Sequence, residues 1–377
     1  MSPLSYCTNV HPAEDLPGVL AQLDRYAEPV RRLVGVDVLG LGLWLPAALA
    51  SSLADSPDLR AKLRTELDAR GLEVYTLNAF PYGGFHDDVV KHNVYRPEWT
   101  DAARLHYTID CATVLADLLP DSASYGSIST LPLAWRTPWT EADDEASTAA
   151  LTELTGVLEG MAAANGRPIR LAVEPEPGCV LDTVADAVKW LAPRVDPRYV
   201  GLCLDTCHLA VSFADPEDTV ASIYAAGLEV VKVQASAALQ VEEPDSEAAR
   251  LALTDFTEPR YLHQVRERAV TGTVLAADDL PEALAELPGR DAWRVHFHVP
   301  LHARPATPLS ATTDVLRTAI TALRSTVDKM PHVEVETYTW SVLPETAGNG
   351  GDTALIRGIA AELRWAAANL HELGGVR

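Results

Sequence analysis

Positive charge is scarce in this chain: 30 Lys and Arg stand against 53 Asp and Glu, a formal charge of −23. A surface of that sign repels a phosphate backbone and an anionic leaflet, so neither nucleic acid nor membrane insertion is expected. A span for the bilayer is missing too. The longest apolar run, residues 38–50, is broken by Gly40, Gly42 and Pro46 and falls short of the ~20 residues needed. Residues 1–10 carry neither the basic stretch nor the apolar stretch of a secretory signal, and the expected location is cytoplasmic. Five cysteines, an odd number without paired zinc-finger spacing, are expected to be thiols. No glycine-rich phosphate loop follows the first candidate strand, which runs into Cys7-Thr8-Asn9-Val10-His11, and this argues against a doubly wound dinucleotide fold. Fixed-period repeats and Gly/Ser linkers are absent as well.

Short β-branched runs instead alternate with longer Ala/Leu-rich segments of helical period, the pattern of parallel strands joined by crossover helices. Candidate strands lie at 4–9, 36–40, 72–78, 124–128, 169–174, 200–205, 228–234, 293–299 and 333–337. Helical segments lie at 16–33, 57–70, 102–118, 144–165, 184–191, 216–226, 313–327 and 353–373. Eight strand–helix units make a barrel, and 377 residues fit one elaborated barrel. The expected architecture is therefore a single α/β domain over 1–377, a (β/α)8 TIM barrel, with the ninth strand in an insertion after the seventh, at about 236–304.

Catalytic groups of such a barrel project from the C-terminal ends of its strands. Here those ends are polar: Asn9 and His11, Asn78, Glu174, Asp205 with His208, Gln234, and Glu336. His296 and His298 lie on the extra strand. Each has an ordinary explanation, such as a helix cap for Asp205 or a wet strand face for the histidine pair. Unpaired carboxylates buried in strand after strand are costly, however, and a divalent cation would compensate them. Glu174, Asp205, Gln234 and Glu336 supply oxygen donors for Mg²⁺ or Mn²⁺, and histidines would shift the preference toward Zn²⁺ or Co²⁺. Glu334 shares a strand face with Glu336, and the residue nearer the C-terminal end should reach the mouth. His86, His92 and His263 read as surface or loop histidines.

The motifs Leu-Ala-Val-Glu-Pro-Glu-Pro-Gly at 171–178, Leu-Asp-Thr-Cys-His at 204–208 and Val-Glu-Val-Glu-Thr at 333–337 resemble the fifth, sixth and eighth strands of the xylose-isomerase-like barrels. That superfamily includes sugar isomerases, sugar epimerases and endonuclease IV. The resemblance implies Glu174, Asp205 and Glu336 as metal ligands and His208 as a ligand or substrate contact. Gln234 departs from the histidine found at this position in many sugar epimerases, which leaves Gln234 or His298 to complete the shell. More narrowly, segments 6–12, 78–83, 261–264, 296–300 and 334–340 resemble the EboE family, called a metabolite traffic protein. That resemblance implies an operon also carrying a prenyltransferase-like and a dehydroquinate-synthase-like protein, and a part in making or exporting a small metabolite.

The leading expectation is a metal-dependent isomerase or epimerase of a sugar or cyclitol ketone, using one divalent ion (Mn, Mg, Co or Zn). Glu174 and Glu336 would move the proton. His208, His296, His298, Asn78, Asn9, His11 and Trp340 would contact a polyhydroxylated substrate, with Trp44, Phe80 and Tyr82 walling the pocket. The rival readings are a phosphoester hydrolase using Arg260, Arg266, Arg268 and Arg294, and a non-catalytic carrier. A homo-oligomer is compatible with all three.

Overall fold

A computed structural model describes residues 4–344 and 351–370. Seven parallel strands come first: β1 (Ser5–Cys7), β2 (Leu39–Trp44), β3 (Leu72–Asn78), β4 (Gly126–Thr130), β5 (Ile169–Val173), β6 (Val200–Asp205) and β7 (Val230–Ala235). Four short strands and a hairpin partner follow: β8 (Leu239–Val241), β9 (Val265–Arg268), β10 (Val274–Ala277), β11 (Trp293–Val295) and β12 (Leu309–Ala311). The last strand, β13 (His332–Val335), pairs with β1 on one side and β7 on the other, closing an eight-stranded barrel. Its apolar core is the continuous cluster formed between the strands and the surrounding helices.

The helices begin where local chemistry allows. Thr140 and Thr183 each form a reciprocal capping box with the Asp three residues on, starting helices Glu141–Asn165 and Val184–Leu191. The first segment, expected as one helix, widens into a π turn at Leu23–Ala27 just before Pro29, whose nitrogen has no hydrogen to donate. The closing helix runs Gly351–Asn369. The expected extension of that helix to residue 373 lies outside the described residues. No helix among the described residues is long and apolar enough to cross a membrane. The five cysteines are buried free thiols.

Between β7 and β13 the chain builds an antiparallel sheet in the order β10-β9-β11-β8-β12, with its own core around Trp293, Phe297, Val265 and Leu239. This insertion carries four more strands than expected, and its last strand lies past residue 304. Glu267 organises it from inside, accepting from the Trp293 indole at 2.8 Å and from the Gly289 and Arg290 amides at 2.9 and 3.0 Å. Arg294, donating to the Ala210 carbonyl at 2.8 Å, and Arg266, paired with Asp182 at 2.9 Å, help dock it onto the barrel.

Within the barrel, below its mouth, Lys232 Nζ lies 2.6 Å from Glu334 Oε2 with both side chains fully buried, and Lys232 also donates to Ser129 at 3.1 Å. Position 42 has to be glycine for this pair to exist, since a Cβ there would sit 1.1 Å from Glu334 Oε1.

Candidate functional site

Four strand ends bring oxygen donors together at the barrel mouth. Glu174 follows β5, Asp205 ends β6, Gln234 lies in β7, and Glu336 follows β13, where its amide still bonds the Ala235 carbonyl. Glu174, Asp205 and Glu336 present carboxylate oxygens within 4.8 Å of one another, all buried. Gln234 Nε2 bridges two of them, donating to Glu174 Oε1 at 2.6 Å and Glu336 Oε2 at 2.5 Å. Asn9 and Asn78 both donate to Glu336 Oε1, at 2.8 and 2.9 Å. Asp205 has two roles. Its Oδ1 caps helix Thr206–Val211 through the Cys207 and His208 amides and accepts from Ser236, while Oδ2 faces the site.

Burial, then the charges of Glu336 and Asp205, push the Glu174 carboxyl well above its ordinary range. Burial, then Asp205 and Glu334, do the same to Glu336. Burial also raises Asp205, but His208, His298 and its backbone and Ser236 hydrogen bonds outweigh it, and the net direction is down. Glu174 Oε2 and Gln234 Oε1 are buried without a hydrogen-bond partner. Desolvated carboxylates and orphaned oxygens at one point form a donor set that fits a hard divalent cation. Lys232 is already paired with Glu334 and does not neutralise them.

Above the carboxylates stand three buried histidines, His208 from helix Thr206–Val211 and His296 and His298 from the segment after β11. The expected alternation holds there, with both imidazoles on the pocket and Phe297 in the insertion core, although the strand itself ends at Val295. Their Nδ1 atoms face the Pro175 carbonyl at 2.9 Å, Gln264 Oε1 at 2.6 Å and the Glu336 carbonyl at 2.8 Å respectively. His208 Nε2 and His296 Nε2 lie 3.0 Å apart. Burial, reinforced by His208, pushes His298 down to about 4 against the pull of Asp205.

The pocket encloses about 530 Å³ of empty space, the open mouth included. Its floor is Glu174, Gln234, Glu336, Asn9 and Asn78, and its roof includes Phe80, Phe85, Val90, Tyr261 and Tyr338. The roof is a seam between two loops. Amides of Val90 and Lys91 both bond the Arg260 carbonyl at 2.8 Å, and Lys91 Nζ reaches the Tyr261 carbonyl at 2.7 Å and Asp279 at 2.6 Å.

Two expected contacts lie elsewhere. His11 bonds the Tyr6 hydroxyl at 3.2 Å and stacks on Tyr26, because the chain turns outward after Asn9 in a short 3₁₀ turn. Trp340 packs over Gly358 and donates to Glu362 at 3.1 Å; Tyr338, two residues earlier, takes the place on the pocket. Trp44 and Tyr82 support the roof from behind rather than lining it, Trp44 by donating to the Pro81 carbonyl at 2.9 Å and Tyr82 by packing on Tyr107. His263, read as a loop histidine, is buried between the His296 carbonyl and Glu258. Lys91 and Tyr95, on the 3₁₀ helix Lys91–Tyr95, escape sequence reasoning because so short an element shows no period. Glu176, behind Glu174 in the Glu-Pro-Glu spacing, and Tyr261, Gln264 and Tyr338, inside the segments 261–264 and 334–340, stand in motifs that the sequence singles out without giving these side chains a role.

A family model described as a xylose isomerase-like TIM barrel matches residues 32–259. No curated protein matches the sequence. Among solved structures, D-psicose 3-epimerase with D-tagatose from Clostridium cellulolyticum H10 superposes with a TM-score of 0.53 at 15% identity, covering 98% of this chain and 100% of that one. D-allulose 3-epimerase from Methylomonas sp. in complex with D-allulose gives 0.51 at 13%, covering 97% and 96%. IOLI protein with a binding zinc atom gives 0.51 at 15%, covering 98% and 99%. At such identities the likeness is one of fold.

Proposed function

The chain belongs to the xylose isomerase-like TIM barrel family, and from that premise we propose that it is a cation-dependent isomerase or epimerase of an uncharged sugar or cyclitol ketone. The observation that carries this reading is the pair of buried carboxyls, Glu174 and Glu336, held by one shared amide on the floor of the pocket. Two carboxyls raised well above their ordinary range suit opposite ends of a proton transfer near neutral pH.

Glu174, Asp205, Gln234 and Glu336 would hold the cation, Gln234 through its otherwise unpartnered Oε1. A divalent ion there polarises a substrate carbonyl and makes the adjacent C–H acidic. Glu174 is the base, because its Oε2 has no other partner. Glu336, whose Oε1 is fixed by Asn9 and Asn78, is the acid that returns the proton. Phe80, Tyr261 and Tyr338 keep bulk water from the carbanionic species.

The substrate's lack of charge follows from the walls. Lys91 is the one Lys or Arg lining the pocket among the described residues, and it is committed to Asp279. The four arginines that a phosphoester would need are spent elsewhere, Arg266 on Asp182 and Arg294 on Gln240 for example. The likeness in fold to D-psicose 3-epimerase and D-allulose 3-epimerase supports the reaction class. The EboE-like segments, far apart in sequence, each contribute a pocket residue: Asn9, Asn78, Tyr261, His296 with His298, and Glu336 with Tyr338. That convergence supports a shared small-metabolite ligand for the narrower resemblance.

The test is incubation of the chain with a panel of ketoses and cyclitol ketones in D₂O with Mn²⁺, Co²⁺ or Zn²⁺, followed by NMR. Deuterium should enter next to the carbonyl, and Glu174→Gln or Glu336→Gln should slow this by roughly 10²–10⁴-fold. A ligand that binds without exchanging would make the protein a carrier.

A further inference from the structure

The polar atoms of the pocket divide it into two unlike ends. Around the floor, four lining residues carry buried polar atoms without a partner: Glu174 Oε2, Gln234 Oε1, Asn9 Oδ1 and His298 Nε2. Away from the floor the polar atoms are already committed to the protein. The Tyr95 hydroxyl donates to Glu176 Oε1 at 2.7 Å and the Tyr261 hydroxyl to the Phe85 carbonyl at 3.2 Å. The Lys91 ammonium group donates to the Tyr261 carbonyl and to Asp279. Tyr338 has the one hydroxyl at that end without a hydrogen bond among the described residues. The rest of that end is carbon: Phe80, Pro81, Phe85, Val90, Val94 and Leu262.

A ligand hydroxyl placed at the floor finds donors and acceptors waiting. Placed at the other end, it loses its water and gains nothing in return, which is unfavourable. A bare sugar carries a hydroxyl on almost every carbon and puts some at each end. Aromatic rings such as Phe80 and Tyr95 can stack on the C–H face of a sugar, but the aliphatic Pro81, Val90, Val94 and Leu262 match only carbon. Part of this wall is also a unit of its own: Trp44, Phe85, Val90 and Tyr261 form a buried apolar cluster separate from the barrel core, with Val94 and Tyr338 packed against it. Its members other than Trp44 come from the loops over the mouth, where apolar side chains serve the pocket and not the closure of the barrel.

We infer that the substrate is amphipathic: a polyhydroxylated ketone whose end remote from the carbonyl carries an apolar substituent, its oxygens on the floor and the substituent against Phe85, Val90, Val94 and Leu262. The ketone rests on the isomerase reading; the apolar end follows from the walls. No bond is made or broken on the substituent. It serves recognition, since carbon buried against carbon adds affinity in proportion to the area removed from water, while the same wall offers a hydroxyl no partner. Pockets that read a few carbons in this way discriminate by roughly 10–100-fold.

The experiment measures binding by calorimetry to the full-length protein in Mn²⁺. The probes are D-fructose, D-tagatose and a cyclitol ketone, each compared with its hexyl, benzyl and triethylene glycol ethers on the oxygen farthest from the carbonyl. For at least one of the three, the hexyl or benzyl ether should bind roughly 10–100-fold tighter than the parent, and the glycol ether, as long but polar, should not. Which of the two apolar ethers gains more tells an alkyl substituent from an aryl one. In the double variant Val94→Asn, Leu262→Asn the ratio of ether to parent affinity should fall toward one, and a ratio taken on one protein sample is not moved by a general loss of folded protein. The inference is overturned if the parents bind as tightly as their apolar ethers, if no apolar ether binds, or if the ratio survives in the double variant. Deuterium exchange on the same samples separates this result from the isomerase reading. Preferred ethers that take up no deuterium would keep the amphipathic ligand and remove the isomerase, whereas parents and ethers exchanging with equal kcat/KM would do the reverse.

Discussion

Strands β7 and β13 pass through two levels of the barrel that differ in one respect. At the lower level Lys232 and Glu334 face each other, buried, and neutralise each other. Two residues further along, Gln234 and Glu336 occupy the equivalent inward positions, equally buried, and there the negative charge of three carboxylates has no basic side chain of its own. The same strand alternation delivers both layers, so inward-pointing charge alone is not a sign of function. What separates a structural layer from a chemical one is whether the charges close on themselves.

That contrast can be broken from below with the largest effect. Lys232→Met leaves Glu334 buried without a partner and should cost about 3–5 kcal/mol in a denaturant titration, a loss that Glu334→Leu in the same chain should largely restore. If Lys232→Met unfolds no more easily than the wild type, the lower layer is not the self-sufficient pair that its geometry indicates.

The upper layer should show its missing charge as a pH dependence. Glu174 and Glu336 have folded pKa values above their ordinary 4.5. The folded chain therefore holds protons that the unfolded chain releases, so stability is fully present below about pH 4.5 and falls as pH rises, until the folded values are passed. Each group contributes at most about 1.4 kcal/mol per pH unit over that window. Melting curves of chelator-treated protein should shift downward between pH 5 and pH 8, and Mn²⁺ or Zn²⁺ should flatten the trend. A metal-free protein with equal melting temperatures at both ends would mean that the carboxylates are compensated from within.

A finer comparison lies inside the upper level. Glu174 belongs to the carboxylate group, whereas Glu176 is satisfied by the Tyr95 hydroxyl at 2.7 Å and by Gln264. Glu174→Gln should weaken divalent cation binding by roughly 10–100-fold, about 1–3 kcal/mol, and Glu176→Gln by much less, as read by calorimetry. Smallest of all, His11→Phe and Trp340→Phe should leave cation affinity within about twofold, because neither side chain reaches the pocket. A clear drop from either would restore it to the site.

Much of this was legible in the sequence. Seven of the eight barrel strands lie close to where the sequence puts them, whereas the second, expected at 36–40, runs over Leu39–Trp44, where Leu-Gly-Leu-Gly-Leu-Trp is buried throughout; the polar residues at the strand ends, Glu174, Asp205, Gln234 and Glu336, are conspicuous beside such buried runs. The insertion was not legible in the same way. Its strand Val265–Arg268 reads Val-Arg-Glu-Arg, which looks solvated, yet Glu267 is buried as an acceptor for the Trp293 indole and two amides. The strands Leu239–Val241 and Leu309–Ala311 are three residues long, too short for any period to emerge. Lys232 went unnoticed because a single lysine in an apolar run resembles a strand flaw until Gly42 and Glu334 are seen across the barrel from it. His11 and Trp340 were misplaced by one turn of chain, a distance that sequence patterns do not resolve.

The roof seam has a kinetic meaning. Most residues lining the pocket are buried, and the two loops above it are stitched by the Val90 and Lys91 amides and by the Lys91 ammonium group. A ligand too wide for the mouth as it stands would pass only in moments when those stitches are undone. The amide protons of Val90 and Lys91, both bonded to the Arg260 carbonyl, exchange with solvent in the same openings and so report how often the seam parts.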